Sequence, residues 1–226
     1  MQAAWLPNLT MLDISYNDFE GWHFRLLNEG NLTILSSLIM DGSNLHGESM
    51  RAFAKGNWRG LKRLSAQNSR ISFDGLQALV RMDLPLLENL NLAHNAINSN
   101  LLAVLRLGNW PTLITIDISS NAIDAKAVAF LEDTVWPLQV LVLNGNRLNA
   151  KVLFQLKRVE LQLKALHLCN TSITPAGLRK LAAGSMWNQL EVLDFSNNNA
   201  SLPEQLCRVF NPSQEQSLLT RYMQSF

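Results

Sequence analysis

Apolar residues along this chain fall at offsets that neither a helix period nor a strand period explains alone. In LENLNLAHNAI, residues 87–97, the apolar positions are Leu87, Leu90, Leu92 and Ile97, with Asn95 set among them. The arrangement, apolar-x-x-apolar-x-apolar-x-x-Asn-x-apolar, recurs in LTMLDISYNDF, LSSLIMDGSNL, LKRLSAQNSRI, LITIDISSNAI, LQVLVLNGNRL, LKALHLCNTSI and LEVLDFSNNNA. The units start at 9, 35, 61, 87, 113, 138, 163 and 190, in steps of 25 to 27 residues. Self-similarity at so regular a period marks a tandem array, here of eight units.

Each unit divides into two halves. Leu90 and Leu92 are two residues apart, so in a strand both face the core, while Asn89 and Asn91 face the other way. One unit cannot close a core, but stacked neighbours bury a continuous apolar column. After the strand the chain turns and leaves backbone groups unpaired. A buried Asn carries the two donors and one acceptor needed to satisfy them across adjacent turns. The series at this position is Asn17, Ser43, Ser69, Asn95, Asn121, Asn146, Thr171 and Asn198. The Ser and Thr units, with fewer bonds to offer, are expected to be looser.

The second half predicts a helix. The residue after the last apolar position is Ser72, Asn98, Asp124, Asn149, Thr174 or Ser201 in six of the eight units, and these types accept from free amides at a helix start. Pro175 suits the first helical position, and Ser201 with Glu204 has capping-box spacing. Apolar residues follow at helical spacing, as in Val128 and Leu131 or Leu178 and Leu181. Glu20 and His46 break the capping rule, which predicts less regular first and second helices.

These units resemble leucine-rich repeats over almost the whole chain. With a GxxxL-like second half (Gly75 to Leu79, Gly177 to Leu181), they are similar to the ribonuclease-inhibitor-like and cysteine-containing intracellular subclass. The resemblance implies an α/β fold: a right-handed solenoid or horseshoe, with a parallel β-sheet on the concave face and helices on the convex face. Eight repeats are expected over residues 1–200, and a final convex helix with a capping segment over 201–226. Trp5, Trp58, Trp110, Trp136 and Trp187 each stand two to four residues before the first Leu of a unit. A position tied to the repeat frame predicts that they fill the helix-to-strand corners. The chain begins with no polar capping segment, which leads to the expectation of a longer array upstream.

Composition narrows the functional classes. With 47% apolar and 16% charged residues, the chain can bury a sizeable core. A net charge of +1, from 19 basic and 18 acidic residues, with no cluster of Lys or Arg, gives no footprint for nucleic acid. No apolar run spans a bilayer, so membrane insertion is not expected. Two cysteines, Cys169 and Cys207, cannot form a disulfide framework and point to a cytoplasmic or nuclear protein with reduced thiols.

Candidate chemistry lies on the concave face. Its central outward column reads Asp13, Ile39, Ser65, Asn91, Asp117, Val142, His167 and Asp194, and the positions beside it include Tyr16, Asp41, Arg63 and His94. From these, Asp13, Tyr16, Asp41, Arg63, Asn91, His94, Asp117, His167 and Asp194 are the expected partner-binding residues. The surface is polar and weakly acidic, with an apolar patch around Val140, Val142 and Val192. His167, Cys169 and Asp194 together have the composition of a thiol nucleophile and its base. They are expected on an open, water-exposed sheet without oxyanion donors, which argues against catalysis. No phosphate-binding glycine loop, HExxH, CxxC or G-x-S-x-G occurs, and no metal or cofactor is expected. An acidic tract of the kind seen in leucine-rich-repeat GTPase activators is also lacking. The first expectation is therefore a non-enzymatic protein-binding scaffold. The alternative is a substrate-recognition or adaptor fragment of a larger protein, such as a ubiquitin ligase component.

Overall fold

A computed structural model describes residues 6–30, 32–124, 130–131, 134–149, 155–156, 162–174 and 190–198. The expectations for Trp5, Val128, Pro175, Gly177, Leu178, Leu181, Trp187, Ser201, Glu204, Cys207 and the terminal cap fall outside them.

Each repeat contributes one three-residue strand: β1 (Met11–Asp13), β2 (Ser37–Ile39), β3 (Arg63–Ser65), β4 (Asn89–Asn91), β5 (Thr115–Asp117), β6 (Val140–Val142), β7 (Ala165–His167) and β8 (Val192–Asp194). They form a single parallel sheet in chain order. Register follows the repeat, so that Leu12, Leu38, Leu64, Leu90, Ile116, Leu141, Leu166 and Leu193 align as one row. Four helices are described between the strands: α1 (Gly21–Glu29), α2 (Gly47–Phe53), α3 (Phe73–Val80) and α4 (Ser99–Leu105). The architecture is the α/β leucine-rich-repeat solenoid. The strand row, Met40, Leu92, Ile118, Leu143 and Leu168 behind it, and apolar helix residues such as Phe24, Phe53, Leu79 and Leu105 make one continuous core.

The ladder position works as its chemistry requires. Asn95 Nδ2 donates to the carbonyls of Ala66, Leu92 and Ala93 at 2.8 to 3.1 Å. Its Oδ1 accepts from the amides of Ser69, at 3.0 Å, and Ile71, at 3.2 Å, one unit back. Ser69 has a shorter reach, and its Oγ makes hydrogen-bond contacts of 2.8 and 2.9 Å with the Met40 and Gln67 carbonyls. The Leu45 amide, which an Asn would have taken, donates to the Ser69 carbonyl instead, at 2.6 Å. The Ser units thus make fewer side-chain bonds, yet Ser43 and Ser69 are fully buried.

Caps and corners follow the sequence with one correction. Ser72 Oγ accepts from the Gly75 amide at 3.2 Å, and Asn98 Oδ1 accepts from Asn100 and Leu101. A Cβ at Gly75 would stand 3.0 Å from the Leu45 carbonyl, so a glycine lets α3 press against the preceding unit. The correction concerns α1, which at nine residues is the longest described helix despite Glu20. Here Glu20 and His23 stand in a capping box, in which the Glu20 amide donates to His23 Nδ1 at 3.0 Å. His46 does lack a side-chain cap bond, as expected. Trp58, Trp110 and Trp136 are buried at the corners, and Trp110 and Trp136 stack with ring centroids 5.3 Å apart. Trp136 Nε1 donates to the Gly108 carbonyl and Trp58 Nε1 to the Phe53 carbonyl, each at 2.8 Å. A sixth tryptophan, Trp22 on α1, is partly exposed and stacks on His23 instead.

Candidate functional site

The face of the sheet turned away from the helices, the concave face of the expected horseshoe, carries the candidate residues. Its two ends differ. At the N-terminal end, Asp13, Ser15, Tyr16, Ile39, Asp41 and Arg63 line a depression of about 710 Å³, with Ser65, Gln67 and Asn91 forming much of the rest. Tyr16, among the lining residues, is 77% exposed, and Met11 at the start of β1 is 54% exposed. Arg63 makes no ion pair among the described residues. Of the nine expected contact residues, five therefore gather here: Asp13, Tyr16, Asp41, Arg63 and Asn91. Asn91 is a correction as a contact surface, because it is buried, with Nδ2 3.4 Å from Gln67 Oε1. Tyr16 and Arg63, an aromatic residue and an arginine, line the same hollow.

His94 lies exposed on the turn after β4, away from that lining. Asp117, His167 and Asp194 lie at the other end. His167 is buried and its Nδ1 stands 3.8 Å from Asp194 Oδ2. The expected water-exposed setting is thus corrected for His167, which is buried, while Cys169 and Asp194 are half-buried. The His167 side chain lowers the Asp194 carboxyl to about 2, helped by the Ser196 amide and opposed by partial burial. Asp117 shifts the other way, because burial raises it more than the Ser119 bonds and the nearby His167 and His94 lower it. Cys169 Sγ lies 3.5 Å from Asn197 Nδ2. Among the described residues no set of three or more His, Cys, Asp or Glu could hold a metal ion. No described helix is long and apolar enough to cross a membrane.

Two structural duties fall on these residues that the sequence reading missed. The first is a second ladder along the lip of the face. Asp13, Asn91, Asp117 and Asp194 each accept, through Oδ1, the amide two residues on, at 2.8 to 3.0 Å. In the units where Ile39 or Val142 occupies that column, the acceptor moves two residues along and reaches across. Asp41 Oδ1 accepts from the Gln67 amide at 2.8 Å, and Asn144 Oδ1 from the Cys169 amide at 2.7 Å. The signal was present in the sequence as an Asp or Asn alternating between two columns. The acidic character of the face is therefore partly backbone chemistry.

The second duty is conformational. The residue before each ladder position has a positive φ in all eight units: Tyr16, Gly42, Asn68, His94, Ser120, Gly145, Asn170 and Asn197. Asn and Gly tolerate this left-handed region, and five of the eight are of those types. Tyr16, His94 and Ser120 are the other three, and each holds its conformation at a cost of about 1–2 kcal/mol. An exposed aromatic residue kept in a strained turn at the rim of a hollow is a functional signal. A Cβ added to Gly42 would meet the Tyr16 ring at 2.6 Å, so Gly42 also leaves room for that ring.

Comparison with known proteins adds little to this geometry. No protein-family model matches the sequence, and no curated protein matches it. Among solved structures, it is similar to a chain in the crystal structure of a Rad7 and Elc1 complex in yeast, with 16% identity and a TM-score of 0.38. That match covers 80% of this chain and 61% of the other. It is also similar to a chain in the TLR13–ssRNA13 complex, with 18% identity and a TM-score of 0.34, over 88% of this chain and 34% of the other. The chain thus spans less than two thirds of either neighbour. At these scores neither likeness bears on function.

Proposed function

We propose that the chain is a non-enzymatic scaffold that binds a protein partner in the N-terminal half of its concave face. The observation that carries this is the hollow lined by Tyr16 and Arg63. It joins an exposed aromatic residue and an arginine without an ion-pair partner among the described residues. Aromatic and arginine anchors at a recess are the groups that dominate protein interfaces. Asp13 and Asp41 add acceptors beside them, with Asp13 held below the usual carboxylate range by the Ser15 hydroxyl and amide. A partner segment presenting an acidic group to Arg63 and an apolar side chain to Tyr16 fits this set.

Within the leucine-rich-repeat class, units of 25 to 27 residues and short helices support placement near the ribonuclease-inhibitor-like and cysteine-containing forms. The cysteine content supports a cytoplasmic or nuclear setting. The test is affinity capture with charge reversal at Arg63, compared with charge reversal at Arg51 on α2. Partners released by Arg63→Glu and retained by Arg51→Glu support the reading; partners indifferent to Arg63→Glu and Tyr16→Ala refute it. The adaptor reading uses the same face and differs in what the chain is attached to. It would be favoured by capture of further subunits that Tyr16→Ala leaves in place.

A further inference from the structure

Opposite charges line the N-terminal hollow without pairing. Arg63 stands on β3 and Asp13 and Asp41 on the two units before it, yet none of the three has an ion-pair partner among the described residues. The register explains the separation. Asp13 aligns with Ile39 and Ser65, so it lies two strands from Arg63 and two residues further along. At about 4.8 Å per strand and 3.3 Å per residue, the two Cα positions are about 12 Å apart. Ser37 aligns with Arg63, so Asp41 lies one strand away and four residues along. That separation is about 14 Å.

The backbone does not need the two negative charges. The lip ladder asks only for a side-chain oxygen, and Asn91 and Asn144 supply one without charge in the same two columns. Asp13 and Asp41 do this work through Oδ1 alone. Oδ1 of Asp13 accepts from the Ser15 amide and hydroxyl, and Oδ1 of Asp41 from the Ser65 hydroxyl and the Gln67 amide. The second oxygen of each accepts no hydrogen bond among the described residues. Tyr16 completes the wall. Its amide donates to the Asp41 carbonyl at 2.6 Å, its ring is braced against Gly42, and most of its surface is open. An aromatic ring beside carboxylates with a spare oxygen receives a cation, and an unpaired guanidinium receives a carboxylate.

We propose that the hollow takes a partner segment carrying a Lys or Arg and, about three to five residues away along an extended chain, an Asp or Glu. The cation sits against Asp13, Asp41 and Tyr16, with its aliphatic stem on the ring. The carboxylate pairs with Arg63. This rests on the reading of the hollow as the protein-binding site and adds what the bound protein displays there. Anchors about 12 to 14 Å apart are out of reach of a free amino acid, whose ammonium and carboxylate share one carbon. They match an extended segment at about 3.3 Å per residue. A segment of one charge sign leaves the opposite wall repelled or unpaired, so the bipolar lining also selects against wholly basic and wholly acidic partners.

The test selects random displayed peptides on the full chain and discards those that also bind Tyr16→Ala with Arg63→Glu. The peptides that remain are expected to carry a Lys or Arg and an Asp or Glu at the stated spacing. Their affinity is expected to fall about tenfold in Asp13→Asn with Asp41→Asn, a pair of changes that keeps the Oδ1 acceptors of the lip ladder. Replacing the peptide's own Lys or Arg by Gln leaves the protein untouched and is expected to cause the same loss. Peptides that need Tyr16 and Arg63 but carry no cation, or bind the Asn variant equally well, would overturn this inference and leave the binding site standing. Failure to obtain any peptide that distinguishes the parent from Tyr16→Ala with Arg63→Glu would overturn both.

Discussion

Asn121 Oδ1 accepts the backbone amides of both Asn95, at 2.9 Å, and Ile97, at 2.8 Å, so that one side chain closes the turn of the preceding unit. Its Nδ2 meanwhile donates to the carbonyls of Leu92, Ile118 and Ser119 at 3.0 to 3.1 Å. Leucine at this place supplies apolar bulk and no partner. Each buried amide left unmade costs about 1–3 kcal/mol, so Asn121→Leu is expected to destabilise the protein by about 2–6 kcal/mol from the two amides alone. Chemical denaturation measures this directly. Unchanged stability would count against the ladder.

The lip carboxylates give a charge prediction with opposite signs at two sites. Asp194 has a folded pKa of about 2, below the ordinary 3.8, chiefly through His167. A depressed carboxyl stabilises the fold above its unfolded value, and that stability is lost as pH falls from about 4 through 2. The shift amounts to roughly 1–2 kcal/mol after discounting for solvent screening. Asp194→Asn is thus expected to be less stable than the parent at neutral pH, with the gap closing as pH approaches 2.

Asp117 is raised by burial, so its ionised form works against folding. Asparagine retains an acceptor for the Ser119 amide and removes the desolvated charge. Asp117→Asn is expected to be more stable than the parent at neutral pH. The advantage shrinks as pH falls through the raised pKa and the parent becomes neutral there too. Melting both proteins across pH 3 to 7 checks the sign at each site.

Gly145 has φ +66°, and a Cβ there would lie 2.8 Å from Ser120 Oγ. Gly145→Ala is expected to cost about 1–2 kcal/mol from the left-handed backbone, with the close contact adding to it. Gly42→Ala has the same backbone problem and also meets the Tyr16 ring. Thermal melts of the two variants measure the effect.

Tyr16 allows binding to be separated from folding. Its ring is mostly exposed and its backbone is left-handed, so Tyr16→Gly relieves strain while adding chain entropy to the unfolded state. The melting temperature is expected to hold within a few degrees while partner binding falls. A large drop in stability would show that the ring serves packing.

The fold was legible because every unit repeats one apolar frame, and the register of the sheet copies the 25- to 27-residue period. The corner tryptophans were legible for the same reason. The long first helix was not, because the group that bonds its N-cap amide is His23, at a position where Glu or Gln is the usual signal. The concave face was legible only as a set of columns. Sequence assigns Met11 and Val140 to one column, but the first is exposed and the second buried, a difference the column pattern does not display. Asp117 and Asp194 looked like free contact residues because their bonds run to the backbone, which sequence patterns do not display. The left-handed row was visible in Gly42, Asn68, Gly145, Asn170 and Asn197, and it would have marked Tyr16, His94 and Ser120 as exceptions.

The most direct measurement is the dissociation constant of a captured partner for the parent protein and for Tyr16→Ala with Arg63→Glu, with melting curves alongside. The account predicts binding weakened at least about 30-fold, the loss of roughly 2 kcal/mol that a single hot spot carries, at unchanged melting temperature. Equal affinity in the two proteins would contradict it and move the binding site off the N-terminal half of the concave face.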